Sequence, residues 1–144
     1  VHAIGARAVE RGIACSFHPN SPPGSVFRVE EDYRVLLDSL DPRLVGFAPD
    51  TGHIANGGMD VVKVFETHRA LVRHVHFKDI AASGEWAGMG AGIVDFPRVV
   101  TMLRDAGYDG WVMVEEESAA AERDPDGVTV QNGRYVREAL LPLI

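Results

Sequence analysis

The chain has 144 residues and a formal net charge of −7, which suits one domain and excludes a protein that grips nucleic acid through its overall charge. With 46% hydrophobic and 24% charged residues it is neither disordered nor collagen-like, and no apolar run approaches the ~18 residues needed to cross a bilayer. A single cysteine, Cys15, excludes an internal disulfide framework and points to a reducing compartment, the cytoplasm.

Val1–Arg11 is alanine-rich and reads as a helix stopped by Gly12. The first residue already lies inside that helix, so the chain reads as beginning partway through a repeating unit. Ile13–Phe17 is a short apolar strand ending at His18-Pro19-Asn20, and a Pro/Gly-rich loop runs to Gly24. In Glu30–Leu40, Tyr33, Leu36, Leu37 and Leu40 recur at helical spacing and form one apolar stripe, broken by Asp41-Pro42. Leu44–Pro49 is a second strand, ending in Asp50-Thr51-Gly52-His53. Asp60 caps a helix to about His68, with Val61, Val64 and Phe65 inward. Val72–Phe77 is a third strand, carrying His74 and His76. A glycine-rich loop through Gly88, Gly90 and Gly92 reads as flexible, and Asp95-Phe96-Pro97 opens a helix to about Ala106. Trp111–Val114 is the fourth strand and runs into Glu115-Glu116-Glu117. Residues 119–133 read as a polar loop, the one candidate for a mobile lid, before a final short helix over Tyr135–Leu140.

Short apolar strands alternating with helices imply parallel βα units, with strands buried on both faces. Each strand ends near a side chain able to bind a metal: His18, Asp50, His76 and Glu115. Their average spacing is about 32 positions, close to the roughly 31 residues per repeat of a ~250-residue (β/α)8 barrel. In such architectures the C-terminal strand ends converge on one mouth. Two imidazoles and two carboxylates there suit a borderline divalent ion.

Each of these residues also has a plainer role. Asp50 before Thr-Gly is a fair turn or cap residue, and His18 a simple strand terminator before Pro19. His74 and His76, two apart on a strand, face the same side, with His76 the candidate ligand and His74 its support. Lys78 shares that face and is placed to meet a substrate oxygen or else merely solvated. Glu115–Glu117 would ordinarily be a solvated acidic face, but Glu115 directly terminates Trp-Val-Met-Val. Gly52 lets the backbone pass closely beside His53. The three spaced glycines do not form a dinucleotide-binding turn, because no strand–turn–helix order surrounds them. Cys15 reads as packing rather than as a nucleophile.

The segments Gly12-Ile-Ala-Cys-Ser-Phe-His18, Val45-Gly-Phe-Ala-Pro-Asp50-Thr-Gly-His53, Arg73-His-Val-His76-Phe-Lys-Asp79, Ile93-Val-Asp95-Phe and Tyr108-Asp-Gly-Trp-Val-Met-Val-Glu115 together resemble the xylose-isomerase-like TIM-barrel superfamily. That superfamily includes sugar-phosphate isomerases and epimerases, hydroxypyruvate isomerase, inosose dehydratase and endonuclease IV. The resemblance runs from about Gly12 to Leu140 and is strongest to the inosose (2-keto-myo-inositol) dehydratase branch. It implies metal ligands at Asp50, His76 and Glu115, with His18 where most of the superfamily has a glutamate and the dehydratase branch often has histidine. It also places His53 at a substrate-contacting position. Lys78 and Asn20 complete the candidate substrate contacts.

The fold implied is α/β, the C-terminal half of a (β/α)8 TIM barrel with about four βα units over residues 1–144. The activity implied is a metal-dependent lyase or isomerase acting on a small polyhydroxy ketone, with dehydration of 2-keto-myo-inositol leading. Manganese or cobalt is the expected ion, with zinc, iron or magnesium as alternatives. Removal of the proton beside the carbonyl falls to Glu115 or His53, and protonation of the departing hydroxyl to His53 or Lys78. The competing readings are an aldose–ketose isomerase or 3-epimerase, an endonuclease IV-like nuclease, and a non-catalytic partial barrel. The expected partners are a polyol or keto-sugar, with no nucleic acid and no membrane. An open arc exposes two strand edges, so an oligomer or a completing N-terminal half-barrel is also expected.

Overall fold

The alternation of strand and helix resolves into four βα units preceded by a helix. In the computed structural model, which describes residues 1–144, α1 (His2–Val9) leads into β1 (Ser16–Phe17), α2 (Glu30–Ser39) and β2 (Gly46–Phe47). There follow α3 (Thr51–Asn56), α4 (Val61–His68), β3 (Val75–Phe77), a hairpin of β4 (Asp79–Ile80) and β5 (Trp86–Ala87), and α5 (Phe96–Asp105). Strand β6 (Val112–Val114), α6 (Ala119–Arg123) and α7 (Pro125–Tyr135) complete the order. No helix is long and apolar enough to cross a membrane.

The strands form a parallel arc in the order β1-β2-β3-β6. Strands β1 and β2 pair with Phe17 opposite Phe47, and β3 and β6 with His76 opposite Met113. Two single parallel bridges, Phe47 to Val72 and Asp50 to His76, join β2 to β3. The regular ladders are shorter than the apolar runs that predict them, α3 occupies a stretch to which the sequence pattern assigns no element, and the β4–β5 hairpin opens the glycine-rich segment. The inner strands β2 and β3 are largely buried, as expected. The edge strands are not: all of β6 is exposed, and Trp111 beside it is 80% exposed. An edge strand has no neighbour on one side, which overrides the burial its apolar composition predicts.

The helices pack their apolar stripes onto the arc. Tyr33, Leu36, Leu37 and Leu40 are buried as their spacing requires, as are Val61 and Phe65 from α4 and Phe96, Val99 and Val100 from α5. Each buried aliphatic side chain contributes about 1.5–3 kcal/mol. The aromatic pairs Tyr33–Phe47 and Phe77–Phe96, with ring centroids 6.0 and 5.1 Å apart, tie α2 and α5 to the strands. Asp60 and Asp95 cap α4 and α5, accepting from the amides of Lys63 and Arg98.

Two loop expectations are corrected. Residues 119–133 hold α6 and most of α7 rather than a loop, and the final short helix is the continuation of α7 through a π-helical turn, Val136–Leu140. Gly127, Thr129, Asn132 and Gly133 are poor helix formers, but Ser118 and Asp124 cap the two helices. Buried Asn132 then fixes α7 by accepting from the Met89 amide at 2.9 Å and donating to Glu116 at 3.0 Å. The glycine loop expected to be flexible is tied down by buried Asp79. That carboxylate accepts from the amides of Ile80, Gly90, Gly92 and Val94 at 2.9–3.2 Å. A side chain at Gly92 would collide with it. Replacing the carboxylate leaves several buried amides unpaired, so Asp79→Ala is expected to lower the unfolding free energy by about 3 kcal/mol or more in urea titration.

Candidate functional site

The parallel arc carries the four ligand-type side chains to one end. His18 directly follows β1, and Glu115 directly follows β6, where its amide donates to the Phe77 carbonyl at 2.9 Å. Asp50 and His76 are held side by side by a bridge in which the His76 amide donates to the Pro49 carbonyl at 2.9 Å. One atom from each of His18, Asp50, His76 and Glu115 lies within 4.8 Å of the others.

Asp50 caps a helix with one oxygen and turns the other toward the ligand-type group. Its Oδ1 accepts from the His53 amide at 2.8 Å and caps α3. Its Oδ2 is buried, accepts no hydrogen bond, and lies 3.5 Å from His18 Nε2, which is equally enclosed and unpaired. Leaving such atoms unsatisfied costs roughly 1–3 kcal/mol each. A divalent cation placed among the four side chains would satisfy both, so the donor set fits a metal. His18 also meets His76 with ring centroids 4.3 Å apart. His74 packs edge-on against His76 at 5.0 Å, so its support is ring contact rather than a hydrogen bond.

Lys78 is not solvated. It is 1% exposed, its stem packs on Gly52, and a side chain at Gly52 would strike the Lys78 Cγ. Its Nζ contacts Glu115 Oε1 at 2.9 Å and Glu117 Oε2 at 2.6 Å, and lies 4.6 Å from the centroid of the Trp86 ring. Burial opposes the ammonium charge, but the two carboxylates outweigh it and raise the Lys78 pKa above its ordinary value. Burial likewise works against the Glu115 carboxylate, yet hydrogen bonds from Lys78 and from His76 Nδ1, the latter at 2.6 Å, hold its pKa down at about 2. Thr51 Oγ1 accepts from the Lys78 amide and donates to its carbonyl, which fixes α3 against this strand.

His53 is 4% exposed, and burial lowers its pKa, which favours the uncharged ring. It meets Trp86 edge-on at 5.3 Å and His18 at 5.7 Å. Its Nδ1 is 2.8 Å from Ser21 Oγ. Asn20 is exposed and its side chain makes no hydrogen bond, whereas His18, Asp50, His53, His76, Lys78 and Glu115 form one contiguous group. A cavity of about 620 Å³ opens beside them, lined by Trp86, Glu116, Glu117, Ser118 and parts of α6 and α7.

Glu117, Trp86, Thr51, Ser21 and Asn56 belong to this group without having been singled out in the sequence. For Glu117 a signal existed. Residues two apart on extended chain share a face, which puts Glu117 with Glu115 rather than in a solvated run. Ser21 and Asn56 carry no comparable signal, because 35 positions separate them.

A family model described as xylose isomerase-like TIM barrel matches residues 1–139. The chain is 29% identical to an inosose dehydratase of Geobacillus thermodenitrificans, over 96% of this chain and 52% of that protein. It is 27% identical to an inosose dehydratase of Lacticaseibacillus casei, over 92% and 50%. The chain thus spans about half the length of the curated relatives it matches. Among solved structures it is similar to a probable 3-DHS dehydratase from Bacillus anthracis, with a TM-score of 0.77 at 17% identity, over 96% of this chain and 54% of that one. It is also similar to a 3-keto-D-glucoside 4-epimerase from E. coli, with a TM-score of 0.71 at 21% identity, over 94% and 49%.

The depressed Glu115 pKa sets a pH dependence. The pairing of Glu115 with Lys78 and His76 contributes its full stability above the ordinary glutamate value of 4.5, and that stability is lost as the pH falls toward about 2. The difference in unfolding free energy between the wild type and Glu115→Gln, followed by urea titration from pH 7 to 2.5, should therefore hold steady down to about pH 4.5 and shrink below it. In a Lys78→Met background the folded-state pKa of Glu115 lies closer to 4.5, so the same difference should change less between pH 4.5 and 2.5.

Proposed function

Because the chain belongs to the xylose isomerase-like TIM-barrel family, we propose that it carries the ligand-bearing part of a metal-dependent lyase site for a small polyhydroxy ketone, with dehydration of 2-keto-myo-inositol as the reaction. The observation that carries this reading is the convergence of His18, Asp50, His76 and Glu115, with two buried ligand atoms left unpaired at its centre. The likeness to two inosose dehydratases supports the substrate.

These four side chains would hold the ion, with manganese or cobalt preferred and zinc, iron or magnesium also compatible with mixed nitrogen and oxygen donors. When bound, such an ion supplies Lewis acidity that favours negative charge on a carbonyl oxygen. The chain's own residues handle the protons. Glu115, held ionised by Lys78 and His76, takes the proton from the carbon beside the carbonyl. Lys78 has three N–H donors, of which two point to Glu115 and Glu117, leaving the third to protonate the departing hydroxyl. One proton leaves carbon and one joins the hydroxyl, so the products are one water and a dehydrated ketone. His53 borders the same space as a substrate contact, and the exposed Asn20 is a rim contact.

Metal analysis paired with an assay on 2-keto-myo-inositol tests this. The chain, completed by whatever covers its strand edges, should bind one divalent ion and release a product lighter by one water. Asp50→Asn and Glu115→Gln should each lose the metal by tenfold or more and lose turnover with it. Normal metal content with full turnover in either variant overturns the ligand assignment. A product of unchanged mass overturns dehydration in favour of isomerisation or epimerisation.

The exposed β6 edge and its Trp111 are expected to be covered by further strands, supplied by a complementary half-barrel or by a second copy. Light scattering on the 144-residue chain by itself should therefore show a dimer or larger species. A stable, monodisperse monomer overturns that expectation.

A further inference from the structure

Ser21, Asn56 and His53 form a buried hydrogen-bond chain at the border of the proposed site. Ser21 is 1% exposed, and its carbonyl is anchored by Arg28 Nε at 2.8 Å. Its hydroxyl oxygen lies 2.7 Å from Asn56 Nδ2 and 2.8 Å from His53 Nδ1. The Asn56 amide nitrogen has only protons to give, so Ser21 Oγ accepts from it. The serine hydroxyl then has one proton of its own, and His53 Nδ1 is the one acceptor paired with it. Were Nδ1 protonated, both neighbours would donate to Ser21 Oγ and the serine proton would be left without an acceptor in a buried place, an arrangement folded proteins avoid.

We propose that Asn56 and Ser21 act as positioning residues that lock His53 in the tautomer protonated at Nε2, so that His53 meets the substrate as a hydrogen-bond donor. Nε2 lies on the opposite edge of the ring from Ser21. It makes no hydrogen bond within the protein and is not among the enclosed unpaired atoms, so it is open to a ligand. The ring is held in place by its edge-on contacts with Trp86 and His18 and by the Nδ1–Ser21 hydrogen bond. A neutral imidazole held this way gives an N–H to a substrate oxygen and has no free lone pair with which to take a proton from carbon. Of the two roles open to His53, base or donor, the hydrogen-bond chain selects the donor and leaves proton removal to Glu115. This chemical consequence rests on the proposed lyase reading, whereas the tautomer itself does not.

Long-range 1H–15N correlation spectra of the 144-residue chain, recorded at pH 8 without added metal, read the tautomer directly. The wild type should show an unprotonated, hydrogen-bonded Nδ1 and a protonated Nε2 for His53. Asn56→Asp replaces the donor to Ser21 with an acceptor-only carboxylate, which should draw the serine proton and invert His53 to the Nδ1-protonated form. Ser21→Ala should remove the hydrogen-bond shift at Nδ1, and Ser21→Thr should restore it. A protonated Nδ1 in the wild type overturns the proposal, and so does an unchanged tautomer in Asn56→Asp whose other histidine signals stay in place. If Asn56→Asp does not fold, the wild-type spectrum and the Ser21 pair decide. A chain that binds no metal yet shows the expected tautomer would count against the lyase reading alone.

Discussion

A lysine ammonium with 1% exposure needs anionic partners, because moving an unpaired cation out of water costs far more than a single domain's stability can offset. Lys78 meets that requirement with Glu115 and Glu117, both on the segment that follows β6, while its own backbone continues from β3 and is pinned to α3 through Thr51. Three elements far apart in the chain are thereby fixed around one charge. The consequence reaches the ligand cluster, since one Glu115 oxygen is committed to Lys78 and the other is turned to His76.

Asp50 shows the same economy with a single carboxylate. One oxygen ends a helix and the other faces His18, so the residue cannot be assigned either to fold or to chemistry. Capping orients the carboxylate and removes its freedom to rotate, which leaves Oδ2 in a fixed place with no protein partner. The parallel bridge from Asp50 to His76 adds a backbone constraint to the side-chain one. The candidate ligand side chain of Asp50 is thus oriented by a helix cap and a backbone bridge, the arrangement expected of a preorganised site.

The likeness to family members is strong in fold and selective in chemistry. Solved structures below 25% identity share the arc of strands and covering helices, although by name they include both a dehydratase and an epimerase. Fold alone therefore does not choose between those reactions. The choice lies in the side chains at the strand ends and in which of them hold protons.

Much of this was legible in the sequence. Helix stripes such as Tyr33-Leu36-Leu37-Leu40, the caps Asp60 and Asp95, the βα alternation and the four ligand-type residues at strand ends follow from periodicity and capping, which act over a few residues. Helix α6 did carry a signal in Ser118 and the alanines that follow it. Helix α7 was not legible, because its glycines and polar residues disfavour helix and it is held from outside by the Met89 amide and Glu116 through its own Asn132. Neither was the exposure of β6, whose apolar composition suits a buried strand but whose outer side has no neighbour. The burial of Lys78, the part played by Glu117, and the Asn56–Ser21–His53 chain belong to the tertiary structure alone. They join residues dozens of positions apart, and which proton or charge each atom carries is settled by what it meets there rather than by its neighbours in the chain.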